Sequence, residues 1–157
     1  DIEYIVPRAF FEQNDCKVST SAATKVSVGR FGYKVQNDHV NTEIVSKVYD
    51  ALFLVGGAGS LQYLNDAQLK TVVETFLDAN KPVAAICAAP RNLISWGLMR
   101  GKAVTAHNGD GSFPEFALQH GAVPQMSKAV VEDGLLLTGN GPEASEELAL
   151  LLLKKLE

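Results

Sequence analysis

Two short apolar runs fix most of what this chain can become. Residues 51–55 (ALFLV) and 83–86 (VAAI) are apolar at every position, and each stops at a turn signal, Gly56-Gly57 in one case and Cys87-Ala88-Ala89-Pro90 in the other. A strand with one wet face alternates polar and apolar residues, so a strand apolar throughout is read as buried on both faces. Between the two runs lies a helical pattern over 67–79, with Leu69, Val72, Val73, Phe76 and Leu77 on one face, Asp66 as its cap and Asn80-Lys81-Pro82 as its stop. Strand, helix and strand in this order make a parallel βαβ unit. The expected fold is an α/β sandwich with a mostly parallel sheet.

The rest of the chain fills out that plan. A helix is expected over 4–13, with Ile5, Ala9 and Phe10 on one side; Pro7 fits only a first turn, which places the helix start near it. Residues 16–20 read as a strand, 26–36 as a hairpin broken by Gly29 and Gly32, and 42–48 as a short helix. A helix from Pro90 to Trp96, a strand over 103–106 ending at His107, and a helix from Ser112 to Gln119 follow. That last helix opens with capping-box spacing, Ser112 to Glu115. A hairpin around Asp133-Gly134 and a final helix after Pro142 complete the chain.

No linker or repeat divides these elements, and 157 residues suit one domain of roughly 100–200. The net charge of −4 argues against a nucleic-acid binder, which shows a basic face. The longest apolar run, 148–153, falls far short of the ~20 residues that span a bilayer, so no membrane role is expected. Two cysteines make no disulfide framework and suit a reducing, cytoplasmic setting. No signal peptide, metal cluster or cofactor motif is visible. The glycines at 56–59 are not followed by the Lys-Ser/Thr of a phosphate loop.

In a parallel sheet, ligands bind at the carboxyl ends of the strands. Three unusual loops gather there: Gly56-Gly57-Ala58-Gly59, Cys87-Ala88-Ala89-Pro90 and His107-Asn108-Gly109. Cys87 stands where a buried strand turns into a helix, the setting of a nucleophile elbow. The first N–H groups of that helix favour a thiolate and a lowered thiol pKa. The glycine loop offers N–H groups for an oxyanion. His107 ends its strand within reach of a neighbouring strand end. Cys16, His39 and His120 carry blander readings: a small filler, a solvated side chain and a helix cap. Glu3 is, on its own, an acid in a first turn.

These motifs together resemble the ThiJ/PfpI family, and most of all the branch named for the Parkinson-disease protein DJ-one. The resemblance rests on Asp50 to Gly57, Ala84 to Pro90, Thr105 to His107 and Val131 to Pro142, in order and with fitting spacing. It implies a flavodoxin-like sandwich of the class I glutamine-amidotransferase type, formed by a single domain over 1–157, and a homodimer or larger homo-oligomer. It places the family's reactive cysteine on Cys87, its histidine on His107, and its acid, protonated against the sulfur, on Glu3. The oxyanion donors fall on the backbone N–H groups of Gly57 and Ala88.

Three departures qualify that picture. The protease-like branch has His where this chain has Ala88, which disfavours a peptidase. Asn140 replaces an Arg that often precedes the last helix. The family also opens with a buried strand that leads into the acid loop, where this chain begins, so a separate segment supplying that strand is expected. The implied function is a cysteine-dependent enzyme acting on small reactive carbonyls, like a glyoxalase III or a deglycase. The alternative is a non-catalytic oxidative-stress protein, a redox sensor or chaperone using the same thiol.

Overall fold

The computed structural model describes residues 1–157. Its strands are β1 (Ser21–Ala22), β2 (Val26–Val28), β3 (Lys34–Gln36), β4 (His39–Val40), β5 (Leu52–Leu54), β6 (Val83–Ile86), β7 (Ala103–Val104), β8 (Val123–Pro124), β9 (Val130–Asp133) and β10 (Leu136–Gly139). Five α-helices accompany them: α1 (Ile2–Gln13), α2 (Ala67–Asp78), α3 (Pro90–Ser95), α4 (Phe113–Gln119) and α5 (Ser145–Leu156).

The main sheet runs β5-β6-β10-β9, parallel except for β9, which folds back antiparallel on β10. Helices cover both faces. Val83 and Ala85 of β6 point into a core with Val73, Phe76, Leu93 and Met99, while Ala84 and Ile86 point into a second core with Leu137, Leu148 and Leu152. This is the α/β sandwich the apolar runs called for. Period-2 geometry explains why β6 is apolar at every position: each face meets a different helical layer.

β5 departs from its expected burial. All three of its residues are half-buried, and Val55 just beyond is exposed. The reason is topological: β5 pairs with β6 on one edge, and its other edge opens on a long cleft lined also by Cys16 to Thr20. Those five residues are not a strand. The backbone pairs only from Ser21, where β1 meets β4. The hairpin over 26–36 forms as expected, as β2 and β3, whereas 41–48 holds two single 3₁₀ turns. β7 ends at Val104, two residues earlier than expected.

Helix α1 corrects the sequence reading twice. It begins at Ile2, so Pro7 lies inside it and not in its first turn. Its inward face is Glu3 and Pro7, both buried, continued by Phe11 edge-on against Phe53 at 6.0 Å, while Ile5 is exposed. A carboxylate occupies a position where periodicity looks for an apolar residue, and this masks the true face. α2 follows expectation. Asp66 Oδ1 accepts hydrogen bonds from the N–H groups of Gln68 and Leu69, both at 2.9 Å, which satisfies two donors at the helix start. At α4 the capping box does not form. The Ser112 hydroxyl donates to Asp110 at 2.7 Å instead.

Candidate active site

Cys87 follows the last residue of β6 and takes the left-handed conformation, with φ 61°. A non-glycine residue there carries strain of order 1–2 kcal/mol. Two hydrogen bonds hold the turn in place: Cys87 N–H donates to Gly139 O at 2.8 Å, and Cys87 O accepts from His107 N–H at 2.8 Å. The ends of β6 and β10 and the loop after β7 are thereby tied at one point. Ala88 and Ala89 lead into α3, with Pro90 in its first turn. The sharp strand-to-helix turn expected at Cys87 is present, in a strained conformation.

Glu3 reaches the same point from α1. A methyl group added at Gly56 would lie 2.5 Å from Glu3 Oε2 and 2.6 Å from Cys87 Cβ, and against the backbone oxygen of Ile86. The bare Cα of Gly56 therefore lets the acid and the thiol meet. Gly57, at φ 92°, turns the loop beside Cys87 in a conformation that glycine adopts without strain. That loop is fixed from behind: Ser60 Oγ donates to Gly57 O at 2.8 Å, and Asn92 Nδ2 of α3 donates to Ser60 O at 2.9 Å.

Burial pushes the Cys87 thiol above its ordinary range, and the neighbouring Glu3 carboxylate adds to the rise. Hydrogen bonds from the N–H groups of Gly57 and Ala88 pull the other way without reversing it. This corrects the lowered thiol expected from helix-end donors alone: desolvation and a like charge outweigh two N–H groups.

His107 adjoins Cys87 through its backbone. Its ring is exposed, lies against Gly109 and makes no hydrogen bond to the sulfur. Thus Cys87, Glu3, Gly57 and Ala88 converge, with His107 at the rim. Cys16 lies apart; its sulfur faces Asn14 O at 3.7 Å. His120 ends α4, where its Nδ1 meets Phe116 O at 2.8 Å, as a cap would. His39 does more than face solvent: Nε2 pairs with Tyr49 Oη at 3.0 Å. No three His, Cys, Asp or Glu side chains gather as metal ligands, and no helix is long and apolar enough to cross a membrane. Gly56 is legible only as part of the glycine loop; nothing in the sequence signals that its bare Cα lies between Glu3 and Cys87.

Comparison with known proteins agrees with this geometry. The model of the DJ-1/PfpI family matches residues 1–155. An uncharacterized protein of Methanocaldococcus jannaschii is 33% identical over 100% of this chain and 77% of its own length. A protein of Pyrococcus furiosus named deglycase PfpI is 30% identical, over 90% of this chain and 84% of its own. Among solved structures, a ThiJ/PfpI domain protein from Brachyspira murdochii superposes with a TM-score of 0.91 at 27% identity, covering 99% of this chain and 88% of that one.

Proposed function

We propose that this chain, which belongs to the DJ-1/PfpI family, is a cysteine-dependent enzyme acting on small reactive carbonyl compounds. Methylglyoxal-like dicarbonyls are its leading substrates, handled as by a glyoxalase III or a deglycase. The observation that carries the reading is the strained Cys87 turn, at which the Gly56-Gly57 loop, the start of α3 and the Glu3 carboxyl converge.

The geometry supports the following chemistry. Cys87 Sγ attacks an aldehyde carbon, a C–S bond forms, and the carbonyl electron pair moves onto oxygen. Two backbone N–H groups stabilise the resulting oxyanion; donors of this kind are worth about 2.7–4 kcal/mol each in acyl-transfer enzymes. Glu3 acts here as a carboxylate, in place of the protonated acid the resemblance implies: it takes the proton that the thiol gives up and returns it to the oxygen, which yields a neutral hemithioacetal. With methylglyoxal, a proton then moves from the aldehyde carbon to its neighbour. Water hydrolyses the resulting thioester to lactate and frees the thiol, so the net change is addition of one water. His107, at the rim, is positioned to relay protons to solvent.

The assay is lactate formation from methylglyoxal by the wild type and by Cys87→Ser. Turnover lost in the variant supports the reading. No turnover by the wild type, with Cys87 instead oxidised to the sulfinic level by peroxide, favours the stress-sensing alternative. The working unit in this reading is a homodimer, and a monomer mass in light scattering at micromolar concentration would remove that part.

A further inference from the structure

We infer that Arg91 forms a carboxylate-binding subsite beside Cys87, which directs the site toward small carbonyl compounds that carry a carboxylate. The inference rests on the carbonyl-directed reading of Cys87 and adds the charge of the preferred substrate.

Arg91 lies one helical turn beyond Cys87, and its backbone N–H donates to Ala88 O at 3.1 Å. Its side chain is only 16% exposed, and its guanidinium lies within reach of two rings. The central carbon lies 5.3 Å from the Phe113 centroid and 5.1 Å from that of Phe116. Arg91 Nη2 also donates to Ser112 Oγ at 3.1 Å. A guanidinium fixed in this way loses little entropy on binding a planar anion.

Its charge is only loosely engaged inside the protein, in one long ion pair to an exposed carboxylate. The nearest carboxylate, Asp110, lies 3.9 Å away and is itself mostly exposed. Asp110 Oδ1 is already engaged by Ser112, accepting from its N–H at 3.0 Å and its hydroxyl at 2.7 Å. The other guanidinium donors meet no protein acceptor. The segment that anchors Arg91, Asp110 to Phe116, continues from His107, whose N–H is bonded to Cys87 O. Ser112, which accepts from the guanidinium, lies five residues after His107 on that loop. For an aldehyde seated on Sγ, with its oxygen toward Gly57 and Ala88, the forked cation nearest in the fold is the one held on the loop that leads from His107. Carboxylate is the group that such a fork pairs with in two parallel bonds. Glyoxylate, an aldehyde joined directly to a carboxylate, is the smallest compound of this class.

The test needs no turnover. Cys87 alkylation rates are measured with iodoacetate and with iodoacetamide, two probes of nearly equal size that differ in charge, and read by peptide mass spectrometry. Their ratio cancels any change in the thiol itself. Arg91→Gln is expected to lower the iodoacetate-to-iodoacetamide ratio about fivefold, the scale of one charge-assisted contact at a partly exposed site. Asp110→Asn, on an exposed loop, should raise the ratio by removing the competing anion, and it answers the question if the arginine variant fails to fold. A ratio unmoved by either variant overturns the subsite. Glyoxylate should also slow alkylation in the wild type more than the neutral acetaldehyde does, and equal slowing counts against the subsite. If the ratio responds while methylglyoxal yields no lactate, the subsite stands and the enzymatic reading falls.

Discussion

Replacing Gly56 with Ala tests the contact on which the site is built. The new methyl group would sit 2.5 Å from Glu3 Oε2, 2.6 Å from Cys87 Cβ and against the Ile86 backbone oxygen. Real Cβ atoms do not approach that closely, so something must move. The Ile86 oxygen belongs to the β6 backbone, and Cys87 Cβ is held by a turn with two backbone hydrogen bonds, which leaves the Glu3 carboxylate as the mobile partner. Overpacking of this kind costs about 1–3 kcal/mol. For a domain of this size that is a fall in Tm of about 2–12 °C. Gly59, in the same loop, supplies the control. Nothing lies within 4 Å of its added methyl and its φ is not positive, so Gly59→Ala should leave Tm level or raise it by about 1–4 °C. Thermal unfolding is measured alongside the pH profile of Cys87 alkylation. Gly56→Ala should shift both; Gly59→Ala should shift the profile not at all. A wild-type Tm and a wild-type profile in Gly56→Ala would refute the claim that a bare Cα lets Glu3 meet Cys87.

The Cys87 thiol is raised in the folded protein, so the unfolded chain releases its thiol proton first. Wild-type Tm should therefore fall as pH rises above about 8.5, and Cys87→Ser should lack that slope. Glu3→Gln removes the charge that opposes the thiolate, and the alkylation midpoint should move to lower pH; a midpoint that stays put or rises would contradict the contact. At the acid end, Thr20 donates to Asp38 from both its N–H and its hydroxyl and holds that carboxyl below the usual range. Its contribution is full above about pH 4 and is lost as pH falls, so Asp38→Asn should flatten the acid limb of a Tm-against-pH curve. Asp66→Ala removes the cap of α2 and should lower Tm by about 2–4 °C, while Asp66→Asn should keep most of it.

How far the sequence reaches depends on the range of each interaction. The βαβ unit around α2 and the elbow at Cys87 are local patterns, and both are legible from residues 51–96 alone. Gly57 and Ala88 follow from their strand ends. Glu3 is different. Nothing near it in sequence marks it as a partner of Cys87, and only family resemblance set it in the site. The same residue hid the inward face of α1, because a carboxylate stands where an apolar side chain is looked for. Ser112 has the spacing of a cap, yet its hydroxyl turns to Asp110, a competition that spacing cannot decide. Residues 16–20 alternate like a strand, but a strand needs a run of neighbours at hydrogen-bond distance, and here only Thr20, at the end, meets one, accepting from His39 N–H. Arg91 needs the Phe113 and Phe116 rings to hold it, and these belong to another helix.

The placement of β6 between β5 and β10 has a consequence for the order in which the molecule can be made. β6 and β5 emerge from a ribosome together with α2, but β10 follows about fifty residues later. At roughly 5–20 residues per second, β6 waits about 3–10 s for its second partner. Throughout that interval an apolar strand exposes an unpaired edge, and Cys87 has no Gly139 carbonyl to close its turn. Nascent chains arrested before Leu136 should therefore engage chaperones and label freely at Cys87, whereas chains arrested late enough to free the whole β9–β10 hairpin from the ribosome tunnel should do neither.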